Sequence, residues 1–387
     1  MQPPLPIAEF TMTESSPGRN RTPATGPSHP RLDFVPALNG LRGIAILLVL
    51  GNHIPLRKYQ SLLPGGFDGV DMFFVLSGFL ITTLLLQEFA KTGGISLRNF
   101  YIRRVLRLGP AFVVMLIVVC ALGFLIFEPS RARQNCLYAL IALFYASNWV
   151  KALTTNGLGV VAQTWSLSAE EQFYAIWPFL LWALLRATGS HRRLFATAAV
   201  LALLSWGQGI LLGLTDAPFT RVIFGLDSHG ESLMMGCLLG IVLHAGWISE
   251  KGQRRIEIPL LVFAPLALLA LITFSITGNF LGKGLYYYGF GAIALLTSAV
   301  IVDVMVNPRS LVRKLMEVKW LVWLGSVSYG LYLWHWPLFY TMSYVYHWSG
   351  WRVIAIGMPL ALAATVLSYY GMEKPILKFK TRFAAKS

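Results

Sequence analysis

The chain has 387 residues, 56% of them hydrophobic and only 13% charged, and its 32 Lys and Arg against 17 Asp and Glu leave a formal net charge of +15. That composition excludes an ordinary soluble domain and suits an all-α polytopic membrane protein. The positive charge does not point to nucleic acid. The basic residues cluster beside the ends of apolar stretches, where they act as topology signals and meet anionic lipid heads.

Residues 1–33 are rich in Pro, Ser, Thr and Gly and lack an apolar core. They read as a disordered cytoplasmic tail, with no cleavable signal peptide. Apolar stretches of membrane-spanning length follow near 37–56, 70–89, 109–127, 170–186, 194–213, 230–247, 257–277, 285–303, 320–343 and 352–372. A further stretch, 136–150, is shorter and contains Tyr145 and Asn148. The positive-inside rule decides it. If it does not span, the loops LRNFYIRRVLR, RATGSHRR, SEKGQRR and NPRSLVRKLMEVK and the tail KPILKFKTRFAAKS all face the cytoplasm, and all are basic. If it spans, every later loop inverts. The expected architecture is therefore about ten transmembrane helices with both termini cytoplasmic. One membrane unit covers 34–376, a basic cytoplasmic tail covers 377–387, and 136–150 forms a re-entrant or interfacial piece. No fixed-period repeat is visible.

The first span, ALNGLRGIAILLVLGNHI, carries Arg42 and His53. Eleven residues apart on a helix, they share one face and stand roughly 16 Å apart along the axis. Each costs roughly 2.5 kcal/mol or more to place in lipid, so the pair implies a polar interior. The segment after span two carries Arg103, Arg104 and Arg107 on one side of a helix. This is a topology anchor or a phosphate clamp. At the start of span two, Asp68 and Asp71 fall near the level of His53. Asp71 either caps the helix or fixes the tautomer of a histidine. In QTWSLSAEEQFYAIWPFLL, Ser168 and Glu171 fit a capping box. Glu170 is left at the membrane rim, where it reads as an ordinary first-turn acid. Arg221 and Asp227 lie on the outward approach to the 230–247 span and suit a structural ion pair. SYGLYLWHWPL places Tyr332 and His335 in the outer half of its span, with Pro337 expected to kink it. Cys120, Cys136 and Cys237 show neither metal spacing nor a disulfide framework. No metal site is expected.

Five blocks occur in order: LNGLRGIAILLVLGNHI, GVDMFFVLSGFLIT, FYIRRVLRLGPAF, WSLSAEEQFYAIWP and SYGLYLWHWPL. Together they resemble the acyltransferase-3 family of bacterial integral membrane O-acyltransferases, over about residues 36 to 375. The resemblance implies transfer of an acyl group, acetyl being the expected one, from cytoplasmic acyl-CoA to a hydroxyl of a carbohydrate or glycolipid on the outer side. The location it implies is the bacterial cytoplasmic membrane. Acyl-CoA would be a co-substrate, and no permanently bound cofactor is implied. By motif, Arg42 and His53 match the family's basic residue and histidine. Arg104 and Arg107 match its RxxR element, linked to the donor, with Arg103 beside them, and Glu170 matches the acid of its WSLSxE block.

With Asp71, the residues Arg42, His53 and Glu170 make up the expected catalytic set, with Arg221, Asp227, Tyr332 and His335 as candidates for substrate contact. Asn39 and Asn52 depart from the family pattern without removing a reacting group. The sequence given shows no esterase-like domain after the last span, so a one-domain mechanism is expected to finish inside the membrane. The alternative is a multi-span transporter or flippase of acyl or glycan intermediates without transfer chemistry. Its inverted repeats and broken helix pairs give no sequence signal. A binding-only membrane protein is a third option.

Overall fold

The computed structural model describes residues 35–57, 60–248, 250–278, 282 and 284–378. The tail expected over 1–33 and residues 379–387 of the basic tail lie outside the described residues. The described chain is a helical bundle. In order it runs α1 (Pro36–His53), a short ribbon of β1 (Pro55–Arg57) and β2 (Gln60–Ser61), α2 (Asp68–Thr92), α3 (Leu97–Ile126), α4 (Pro129–Leu143), α5 (Ser147–Leu153) and α6 (Thr164–Thr188). Next come α7 (His191–Leu214), α8 (Phe219–Phe224), α9 (Glu231–His244), α10 (Glu250–Thr277) and α11 (Leu285–Val306), which opens with a π turn. The chain then forms α12 (Leu311–Met316), α13 (Lys319–Ser326), α14 (Ser328–Tyr340) and α15 (Gly350–Leu377).

Every apolar stretch expected to span falls mainly on helix. Six helices among the described residues, α2, α3, α7, α10, α11 and α15, are long and apolar enough by themselves to cross a membrane. The others fall short for local reasons: α1 carries Arg42, α6 carries Glu170 and Glu171, α9 has 14 residues, and Val327 separates α13 from α14. The doubtful stretch falls on α4 and α5, which meet at a bend of 114°. The joint contains Tyr145 with φ +52°. The stretch expected to be re-entrant or interfacial is thus a sharply broken helix pair.

Helix ends follow familiar chemistry. Gly93 and Gly189 adopt left-handed φ, and their N–H groups bond Phe89 and Leu185 to close α2 and α6. Ser96, Ser190 and Ser310 cap α3, α7 and α12. The capping box expected at Ser168 is absent. The helix α6 already begins at Thr164, and Ser168 sits inside it, its hydroxyl bonded to the Thr164 carbonyl.

Burial sorts the bundle into centre and rim. Along its most apolar stretch α2 is 78% buried, against 22% for α15. Leu125, Leu204, Val262 and Leu367 instead face outward from α3, α7, α10 and α15, as helices bathed in lipid do. In the centre α2 packs closely on α9 because both lack side chains at the contact. A Cβ at Gly78 would stand 2.0 Å from the Leu233 carbonyl oxygen, and one at Gly236 would stand 2.1 Å from that of Val75.

The same interface holds the first acid of interest. Asp71 accepts from Ser232 at 2.8 Å and meets Nε2 of His229 at 2.9 Å, with both partners of the ion pair buried. Nδ1 of His229 lies 2.8 Å from the Ile223 carbonyl. Asp71 therefore neither caps α2 nor approaches His53, because packing on α9 turns its side chain toward α9. Asp68 is likewise occupied, by Ser275.

Two expected outcomes follow from this packing. Gly78→Val should lower the melting temperature of the detergent-solubilised protein by several degrees, as overpacking costs about 1–3 kcal/mol or more. Gly123→Ala, with nothing within 4 Å of its Cβ, should not. Asp71→Ala should destabilise by about 3 kcal/mol or more, since it strands His229 in the interior. The same thermal scan reads both.

Candidate active site

The polar stripe of α1 faces α14. Arg42 Nη2 donates to Ser328 Oγ at 3.2 Å. Three turns further on, Nδ1 of His53 lies 3.0 Å from Nε2 of His335, with the rings stacked at 5.1 Å between centroids. Trp336 closes the next side of the His53 ring, edge-on at 4.6 Å, and is itself held by a 2.9 Å bond from its indole N–H to the Gly159 carbonyl. His335 is fully buried, whereas His53 keeps some surface. Asn52 ties the end of α1 to the carbonyls of Leu63 and Pro64.

A cavity of about 480 Å³ runs beside this seam, lined among others by Arg42, Arg104, Arg107, Glu170, Tyr332 and Glu373. Arg42 lies 5.6 Å from the Phe73 ring, and its Nε is buried without a partner. The three arginines expected to form one cluster divide instead. Arg103 pairs with Glu88 at 3.3 Å and is not among the cavity-lining residues. Arg104 lies over the Tyr174 ring and bonds Glu171 at 3.0 Å. Arg107 lines the cavity and makes no ion pair among the described residues. A 100° step per residue separates neighbours 103 and 104 enough for Glu88 on α2 and Glu171 on α6 to claim one each.

Glu170 accepts from Ser77 at 2.7 Å inside the cavity and does not reach His53. At the far end the Tyr332 hydroxyl donates to the Gln163 carbonyl at 2.9 Å and lies 2.6 Å from Ser166 Oγ. The Tyr332 ring packs against His335 with centroids 5.5 Å apart. The sequence of contacts is thus cavity, Tyr332, His335, His53. Arg221 and Asp227 form their expected ion pair, beside Ser228 and near the Trp149 ring, away from the cavity lining.

Some working neighbours escaped the sequence reading. Ser328, Tyr332 and His335 follow the i, i+4, i+7 spacing of one helical face, so the periodicity that paired Arg42 with His53 was also available for Ser328. Ser77, Tyr174 and Trp336 carry no such signal.

An acyltransferase family model matches residues 35–370. The chain is 33% identical over 359 residues to the peptidoglycan O-acetyltransferase OatA of Listeria monocytogenes serovar 1/2a (strain ATCC BAA-679 / EGD-e), covering 89% of this chain and 56% of that protein. It is 34% identical over 354 residues to the O-acetyltransferase OatA of Staphylococcus aureus (strain NCTC 8325 / PS 47), covering 89% and 57%. It is 32% identical over 361 residues to a putative O-acetyltransferase of S. aureus (strain COL), covering 90% and 58%. The chain thus spans little more than half the length of these curated relatives. No solved structure matches. With its five blocks gathered around one seam and one cavity, and with a family match over most of its length, the chain belongs to the acyltransferase-3 family of membrane proteins.

Proposed function

We propose that the chain is a membrane O-acetyltransferase. It takes the acetyl group from cytoplasmic acetyl-CoA and delivers it to a carbohydrate hydroxyl at the outer face of the bacterial cytoplasmic membrane. Peptidoglycan is the favoured acceptor, after the named activity of the Listeria relative. The topology that goes with this reading has ten spans, both termini inside and α4–α5 re-entrant from the outer side. The five basic segments on one face support it. One observation carries the chemistry: Arg42 and Arg107 line a cavity whose far end adjoins a histidine pair.

In this reading Arg107 binds donor phosphate as an ungripped guanidinium. Arg42, held at one nitrogen by Ser328, offers its unpartnered Nε–H to an acyl-CoA oxygen. Arg104 is held by Glu171 and Tyr174 and shapes the cavity wall. His53 acts by one of two balanced routes. As general base it takes the acceptor hydroxyl proton while the oxygen attacks the thioester carbon, and the CoA thiolate that departs receives that proton. As nucleophile its nitrogen forms a bond to the acyl carbon as the C–S bond breaks. The CoA thiolate departs, and the acceptor hydroxyl then attacks this acyl-imidazolium. The C–N bond breaks to restore the neutral imidazole, and the hydroxyl proton is released to balance the one the thiolate takes up. Either route needs a neutral imidazole.

The expected outcomes concern purified chain reconstituted with acetyl-CoA and soluble peptidoglycan fragments. His53→Ala should abolish release of free CoA, a loss of at least about 100-fold, while the protein still inserts and melts as the parent does. Arg107→Ala should raise the KM for acetyl-CoA about tenfold, the worth of one charge-assisted hydrogen bond, with little change in kcat. Normal turnover by the His53 variant contradicts the reading, and an unchanged donor KM contradicts the phosphate role. A transporter or a binding-only protein would release no CoA.

A further inference from the structure

The geometry points to His335 as a positioning residue that holds the proton of His53 on Nδ1 and leaves Nε2 as the reacting nitrogen. This deepens the proposed reading and rests on it for the identity of the reacting group.

Nδ1 of His335 lies 3.0 Å from the carbonyl oxygen of Leu331, one turn earlier on α14. A carbonyl oxygen only accepts, so Nδ1 of His335 carries a hydrogen. A second hydrogen on Nε2 would make His335 a cation. The residue is fully buried, and no carboxylate among the described residues contacts it. An isolated cation there would be heavily penalised. His335 is therefore the neutral tautomer whose Nε2 offers a lone pair.

That lone pair faces Nδ1 of His53 across 3.0 Å. Two lone pairs cannot meet at that distance, so Nδ1 of His53 is the donor. A neutral His53 has one ring hydrogen, and with that hydrogen on Nδ1 its Nε2 is bare. Nε2 of His53 has no partner among the described residues and is not among the buried orphan atoms, so it is open to substrate. The chain of assignment runs one way, from Leu331 through His335 to His53.

The surroundings also fix the ring plane. His335 meets its Nδ1 edge with the rings 28° apart, and Trp336, anchored to Gly159, packs at 65° to it on another side. A half-turn of the His53 ring would put Cδ2 where Nδ1 now stands and lose the bond. His335 thus serves His53 as a carboxylate or carbonyl serves many working histidines, but with a neutral acceptor that adds no charge to an apolar bundle. In the base route Nε2 is the atom that takes the hydroxyl proton. In the nucleophile route it is the atom that bonds the acyl carbon. The assignment holds for both.

The test uses the full chain with 15N-labelled histidine in lipid bilayers, with the His53 signals assigned by difference against His53→Gln. The parent should show His53 protonated at Nδ1 and bare at Nε2. H335L removes the acceptor and should lower kcat at least about tenfold, leaving the KM for acetyl-CoA within about twofold. H335Q, whose side-chain oxygen can accept from His53, should recover kcat to within about threefold of the parent. Where H335L does not fold, the parent spectrum and the H335Q rate decide. A parent spectrum with the proton on Nε2, an H335L rate equal to the parent's, or an H335Q rate at or below the H335L level overturns the proposal. Turnover by His53→Ala would instead overturn the reacting role of His53. The spectrum still reads the tautomer in that case, so the two failures are distinguishable.

Discussion

An apolar interior offers few hydrogen bonds, so a guanidinium and an imidazole on one face of an apolar helix must find partners on another helix. The seam between α1 and α14 meets that demand, and the rest of the site is arranged around it. Ser328 receives Arg42, His335 receives His53, and Trp336 walls the imidazole. Gly325 lets α13 lie against α1, since a Cβ there would stand 1.7 Å from the Asn39 carbonyl oxygen. With that contact made, α14 begins directly beside the polar stripe. Packing on one side of α1 therefore sets the hydrogen bonds of its neighbour.

A second buried polar system lies between α2 and α9 and is separate from the first. There Oδ1 of Asp71 takes both Ser232 and His229, against close-packed glycines, while its Oδ2 is buried without a partner. Its residues resemble catalytic ones in type. Their geometry differs from that of the seam, because each nitrogen of His229 already has a partner and neither is left to meet a substrate. Asp71 thus packs two helices together, while the seam between α1 and α14 holds Arg42 and two imidazoles. Glu170, the one acid of the expected catalytic set that lines the cavity, bonds Ser77.

Much of this was legible in the sequence. Apolar runs located the helices, because burial in lipid or protein demands them whatever the tertiary arrangement. The spacing of Arg42 and His53 revealed their common face. What escaped was the pairing between distant helices. Asp71 lies near the sequence level of His53, but α9 reaches it first. Neighbouring Arg103 and Arg104 looked like one cluster, but acids on α2 and α6 separate them. The stretch around Tyr145 stood out as short and interrupted by Asn148, but the position and angle of its bend did not. Periodicity identifies a face, while the identity of whatever covers that face depends on how remote segments pack.

In the proposed reaction an acetyl group crosses from a cytoplasmic donor to an outer acceptor through His53. Right-side-out membrane vesicles loaded with radiolabelled acetyl-CoA and bathed in peptidoglycan fragments test it directly. Label should reach the external fragments with the parent chain and not with His53→Gln. Equal labelling by that variant, or label confined to the vesicle interior with the parent chain, would contradict it.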